Sequence, residues 1–217
     1  MLIDRAVVGI LGQSEMEIEF KGKEKLLTLL SRKKGFILMN AHAGGWQVVL
    51  PTMTFFARPV NMLLERDDAD VDLHYFEHTG LPAPFRIIDP CSFLGGSLEM
   101  LDVLAKGEIL CVMGDRVFGS DKNVIEVPFL ERNALFPFSA YKIASVAGVP
   151  IAVFFSHKAG PKRYELEIAD IIEVPPHLGR SKEVFRPYVT RFVTALELFV
   201  LNHPYQFFNF YDMWDLN

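Results

Sequence analysis

Four short, nearly unbroken apolar runs punctuate the chain: Phe36 to Met39, Val60 to Leu64, Ile109 to Met113 and Val149 to Phe155. Strands covered on both faces need apolar side chains at almost every position, so these runs predict parallel strands buried between helices. Helical patterns lie between and after them. Lys23 to Lys34 places Leu26, Leu27, Leu29 and Leu30 on one side, and Gly96 to Lys106 offers Leu98, Leu101, Val103 and Leu104 before Gly107 stops it. Phe138 to Ala147 is closed by Gly148, and Trp46 to Phe56 is apolar enough to be helical. From about Pro187 to Asn202, Tyr188, Phe192, Leu196 and Phe199 recur at three and four residues, an amphipathic stripe that Pro204 ends. Two segments instead alternate apolar with polar, Met16 to Phe20 and Tyr164 to Ile168, the signature of an antiparallel edge. The pattern predicts an α/β fold with a mostly parallel central sheet flanked by helices. With no repeat and no linker, residues 1–217 read as a single domain.

Composition sharpens this in two respects. Half the residues are hydrophobic, yet no run reaches the ~18–20 apolar residues of a membrane span. The apolar start, Met1 to Gly12, contains Asp4 and Arg5 and reads neither as a signal peptide nor as a span. A soluble or peripheral protein with a greasy interior or surface is expected. The net charge of −5 argues against nucleic acid as a main partner. Two basic clusters, Arg32-Lys33-Lys34 and Lys158, Lys162, Arg163, either meet phosphate headgroups or an acidic carrier protein or simply solvate a face. Cys91 and Cys111 sit in apolar surroundings without metal-ligand spacing, and are expected as buried reduced thiols.

The residue with the most chemistry to offer is His42, in Asn40-Ala41-His42-Ala43-Gly44-Gly45-Trp46-Gln47. It follows a predicted strand, and open α/β sheets place their ligands at the carboxyl ends of strands. Imidazole takes up a proton near neutral pH better than any other side chain. A histidine that merely caps the loop fits the same spacing. Gly44 and Gly45 allow a sharp turn, and their amides are candidates to hold an anion or a developing oxyanion. A second charged pair, Gly114-Asp115-Arg116, follows the run Ile109 to Met113 and reads either as a site or as a loop ion pair. Val127-Pro128-Phe129-Leu130 and then Phe136-Pro137-Phe138, opening a helix, read first as core packing. The aromatic tail from Pro204 to Trp214 fits core closure and a lipid-facing surface equally well.

Rival chemistries are poorly served. No GxSxG, GxxxxGK[ST] or GxGxxG occurs. His74, Glu77 and His78 form an H-x-x-E-H with Asp70 and Asp72 nearby, but the segment is polar and offers no evident third ligand, so no metal is expected.

In order and spacing, these pieces resemble the lipid A late acyltransferase family of the lysophospholipid acyltransferase superfamily, over roughly residues 15 to 214. His42 matches the superfamily histidine that an acid follows five positions later, and Ala41-His42-Ala43-Gly44-Gly45-Trp46 resembles the family's His-x-Gly-Asn-Trp-Glu. Gly114-Asp115-Arg116, Val127 to Leu130, Phe136-Pro137 and Gly148-Val149-Pro150 follow in turn, and Tyr205 to Asp212 resembles the end of a bacterial branch of predicted acyltransferases.

The resemblance implies acyl transfer from an acyl-carrier-protein or coenzyme A thioester to a lipid or glycolipid acceptor. It needs no cofactor beyond that thioester, and its setting is the inner face of the cytoplasmic membrane. It implies His42 as general base, Gln47 orienting it, and Gly44, Gly45, Trp46, Gly114, Asp115 and Arg116 around the substrate. Arg116 would pair with Asp115 or a phosphate. Two departures accompany it. The family's N-terminal membrane-associated helix has no counterpart, as in a shorter relative or a trimmed chain. The acidic partner of the histidine is replaced by Gln47, which carries no charge. Asp115 substitutes if the fold brings it to His42. The alternative is a catalytically impaired lipid-binding or regulatory domain of the same fold, its acid replaced by Gln47. A metal hydrolase built on His74 and His78 is a third reading.

Overall fold

The computed structural model describes residues 16–49, 56–65, 85–117, 123–210 and 212–214, together with 3, 4 and 7. The H-x-x-E-H segment lies outside the described residues, as does most of the stretch between Trp46 and Phe56. The strands are β1 (Glu17–Lys21), β2 (Phe36–Asn40), β3 (Val60–Leu63), β4 (Arg86–Ile88), β5 (Ile109–Met113), β6 (Val124–Phe129), β7 (Arg132–Pro137), β8 (Ile151–Lys158) and β9 (Arg163–Ile172). The helices are α1 (Lys23–Leu30), the single turn α2 (Trp46–Val49), α3 (Ser97–Ala105), α4 (Ser139–Ala147) and α5 (Arg186–Asn202).

The main sheet has the order β1-β9-β8-β2-β5-β3-β4. From β8 to β4 every pairing is parallel, so the four apolar runs form the body of the sheet, with the short β4 added at the edge. The two alternating segments do run against that body: β9 pairs antiparallel with β8. They pair with each other in parallel, however, which leaves β1 as the exposed edge rather than β9.

Burial explains why the central strands are apolar throughout. Along β2, Ile37 and Met39 enter one core with α3, α4, α5 and the β6–β7 hairpin, while Phe36 and Leu38 enter a second with α1 and the β9 face. The sheet is thus a middle layer whose two faces are both dry. The helical stripes are narrower than their leucine content implies. Leu26 and Leu29 are buried but Leu27 is exposed, and α3 buries Met100, Val103 and Leu104 while Leu98 faces solvent. The long helix α5 buries Phe192, Leu196 and Phe199 as expected, with Val189, Val193 and Val200 completing the stripe.

Two expectations are corrected. Phe136 and Pro137 end strand β7 instead of opening a helix, and α4 starts at Ser139. Cys91 is exposed and Cys111 is half-buried against the second core, where burial pushes its thiol up to about 12, so that only Cys111 is close to the inert thiol foreseen. Both cysteines are free.

Candidate active site

β2 and β5 are adjacent parallel strands whose register joins Phe36 to Ile109 and Asn40 to Met113. The ladder continues one step past the strand ends, where Gly114 N–H donates to Asn40 O at 2.8 Å. Extending the same offset of 73 residues brings His42 opposite Asp115. There the two loops lock. Imidazole Nδ1 lies 3.0 Å from Asp115 Oδ1 and 3.2 Å from Oδ2, and His42 N–H donates to Oδ2 at 2.9 Å. The carboxylate side chain is fully buried while the imidazole keeps 19% of its surface in solvent.

This geometry fixes the tautomer. A carboxylate on Nδ1 keeps the proton there, and Nε2 is left with the lone pair. Asp115, expected only as a substitute for the missing acid, is thus a carboxylate placed on Nδ1. Gln47 itself stands half-buried in α2, one turn past the histidine. Trp46 meets the imidazole edge-on, ring centroids 6.4 Å apart, and packs partly into the second core.

The glycine pair has a different job from the one expected. Gly44 N–H donates to Gln206 O at 2.6 Å and Gly45 N–H to Ser156 O at 2.9 Å, so both amides are committed to backbone carbonyls rather than offered to an oxyanion. What the site requires of these residues is the missing side chain. Gly44 has φ +64°, and a Cβ there would collide with the Ser156 carbonyl. A Cβ on Gly45 would strike the Tyr164 ring, whose hydroxyl donates to Asp4 Oδ2 at 2.6 Å. Lys158 Nζ bonds the same Asp4 oxygen at 2.5 Å. Burial pushes the Asp4 carboxyl up, but the bonds from Lys158 and Tyr164 outweigh it and leave the group below its usual range.

Arg116 reaches the C-terminal tail, its Nε donating to Asn209 Oδ1 at 3.0 Å and its Nη2 to Phe208 O at 3.2 Å. The tail also lies against the histidine loop: Phe208 N–H donates to His42 O at 2.7 Å, and Ala43 and Phe207 form an antiparallel bridge. Gln206 and Asn209 are thus site residues that the sequence reading passed over. The only signal they leave is two amides interrupting a run of aromatics. Further on, the tail serves core closure. Met213 is buried, and Trp214 stacks on Phe129 and donates from Nε1 to its carbonyl at 3.2 Å. Three residues of the basic clusters are held in ion pairs: Arg32 with Glu173, Lys158 with Asp4, and Arg163 with Glu19 and Glu165.

Among the described residues no group of His, Cys, Asp and Glu is arranged to hold a metal ion, and no helix is long and apolar enough to cross a membrane. By sequence, no curated protein matches the chain. Among solved structures, it is similar to the 1-acyl-sn-glycerophosphate (LPA) acyltransferase PlsC from Thermotoga maritima. That match is 17% identical, with a TM-score of 0.49, and covers 85% of this chain and 73% of that one. The family model of the bacterial lipid A biosynthesis acyltransferases matches residues 6–215, and with nearly the whole length covered the chain belongs to that family.

Proposed function

We propose that the chain transfers a fatty acyl group from an acyl-carrier-protein or coenzyme A thioester to a hydroxyl or amine of a lipid or glycolipid acceptor. The observation that carries this reading is the His42–Asp115 pair at the carboxyl rim of the sheet, in a family of acyltransferases. His42 Nε2 removes the acceptor proton as the oxygen or nitrogen attacks the thioester carbonyl. The tetrahedral intermediate collapses, the C–S bond breaks, and the imidazolium returns its proton to the departing sulfur. The products are an ester or amide and a free thiol. Asp115 holds the imidazole and offsets its charge throughout.

The remaining parts follow from the surroundings. Arg116, held by the tail, supplies positive charge at the rim for an anionic group of donor or acceptor. Exposed Leu198, Leu201, Tyr205 and Phe210, on the end of α5 and the tail that touches His42, support a peripheral contact with the inner face of the cytoplasmic membrane. The reading as a lapsed, lipid-binding domain rested on the missing acid at position 47. The buried carboxylate of Asp115 beside His42 supports the active reading over it.

The test is direct. The purified protein is incubated with acyl-carrier-protein and coenzyme A thioesters and a bacterial lipid extract, and the lipids are followed by mass spectrometry beside His42→Ala. Acylated product that disappears with His42→Ala is expected. Product formed equally well by His42→Ala, or none from any thioester, sinks the proposal.

A further inference from the structure

The in-register pairing of β2 with β8 runs only to Met39 and Val153, and further along β8 other groups take over. At Lys158 the replacement is a side chain. Gln206 Oε1 accepts Lys158 N–H at 2.8 Å and Gln206 Nε2 donates to Lys158 O at 3.1 Å. One carboxamide thereby makes the two-bond pairing that a neighbouring strand's peptide would make. The main chain of the same residue accepts Gly44 N–H at 2.6 Å. Phe207 bridges Ala43, and Phe208 N–H donates to His42 O. Both peptide groups of His42 are consequently held, its N–H by Asp115 and its carbonyl by the tail. Four consecutive residues, Gln206 to Asn209, fasten the histidine loop on one side and Arg116 on the other.

We propose that Gln206 is a positioning residue. Its carboxamide anchors the tail to β8 so that the tail can hold His42 in the orientation that keeps Nδ1 on Asp115. The anchor is not generic packing. Gln206 is half-buried, and an apolar side chain there would leave Lys158 N–H and C=O without their partner. A displacement of about 1 Å at a reacting group is enough to cost about 10²-fold in rate, so an anchor that touches no substrate still acts on turnover. What the positioned imidazole does rests on the acyl-transfer reading; the positioning itself does not.

The experiment uses the full chain labelled with ¹⁵N-histidine, the His42 ring signals being identified by their loss in His42→Gln. In Gln206→Ala the His42 Nδ1–H resonance is expected to shift or broaden. The turnover number kcat is expected to fall about 10²-fold, with KM for the thioester little changed. A folded Gln206→Ala with wild-type resonance and wild-type kcat overturns the inference even if acyl transfer stands. Conversely, if wild type transfers nothing, a moved resonance in Gln206→Ala still supports the positioning while the functional reading fails. Gln206→Glu keeps the acceptor for Lys158 N–H and loses the donor to Lys158 O. Should Gln206→Ala not fold, this variant carries the same two readouts with a smaller expected change.

Discussion

Asp115 binds His42 twice, through the imidazole Nδ1 at 3.0 Å and through the backbone N–H at 2.9 Å, so one buried carboxylate sets both the ring and the peptide that bears it. An amide in its place would keep the shape, lose the charge, and be free to offer its NH₂ to Nδ1, favouring the wrong tautomer. In serine proteases the equivalent change costs ~10⁴-fold in turnover. Asp115→Asn is therefore expected to lower kcat by about that factor with the fold intact. Gln47→Glu is expected to leave kcat essentially unchanged, because Nδ1 already has its carboxylate. Steady-state kinetics of the two variants decide the matter; a large gain from Gln47→Glu would show that Asp115 does not do the work assigned to it.

The two glycines after His42 predict different kinds of failure. Gly44→Ala meets a backbone carbonyl, that of Ser156, in a left-handed conformation, and nothing nearby can yield. Destabilisation of the order of 1–3 kcal/mol and loss of turnover are expected together. Gly45→Ala meets the Tyr164 ring, a side chain. Its defect should be relieved in part by Tyr164→Leu, whereas that second change should do nothing for Gly44→Ala. Denaturant melts of the single and double variants test the distinction.

How far the sequence reaches can be seen at these same residues. Apolar runs identify β2 and β5, and once those strands are neighbours in register their offset of 73 residues alone sets His42 against Asp115. Nothing in the linear order reveals that adjacency, so the sequence points to Gln47, close along the chain, before Asp115, close in space. The β6–β7 hairpin was missed for a local reason. Its turn is Leu130-Glu131, with no glycine or asparagine to announce it, and Pro128 interrupts its first strand. The anchor Gln206 was illegible because its partners are backbone atoms of Lys158, which any residue could supply.

His157 and His203 stack with ring centroids 4.0 Å apart at the root of the tail. Burial and the neighbouring His203, aided by Lys21, hold the His157 imidazole below its ordinary value, against the opposing pull of Glu165 and Glu167. A depressed histidine binds its proton more readily in the unfolded chain, so it withdraws stability as pH falls through the ordinary value near ~6.5 and costs nothing above it. Urea midpoints compared at about pH 7.5 and about pH 5.5 should therefore show a drop that is smaller in His203→Gln than in wild type. Equal drops would mean that the stacked partner contributes nothing.

The turn of the hairpin holds two residues against their preference. Leu130 has φ +50° and Glu131 φ +66°, a two-residue turn of the kind that favours Asn-Gly. Tertiary contacts enforce it: Leu130 packs against the main core, and its N–H donates to Glu197 Oε1 at 2.6 Å. Leu130 is thus compensated for its strain, whereas Glu131, exposed, has no such packing. Glycine at 131 removes the left-handed penalty of roughly 1–2 kcal/mol and costs part of it back in chain entropy. Glu131→Gly is expected to stabilise the protein by about 0.5–1 kcal/mol, read as a higher urea midpoint at unchanged slope. Leu130→Gly, which gives up the core contact for the same conformational relief, is expected to destabilise. If Glu131→Gly lowers the midpoint instead, the positive φ at that position is a property the side chain itself sustains, and the turn is not strained.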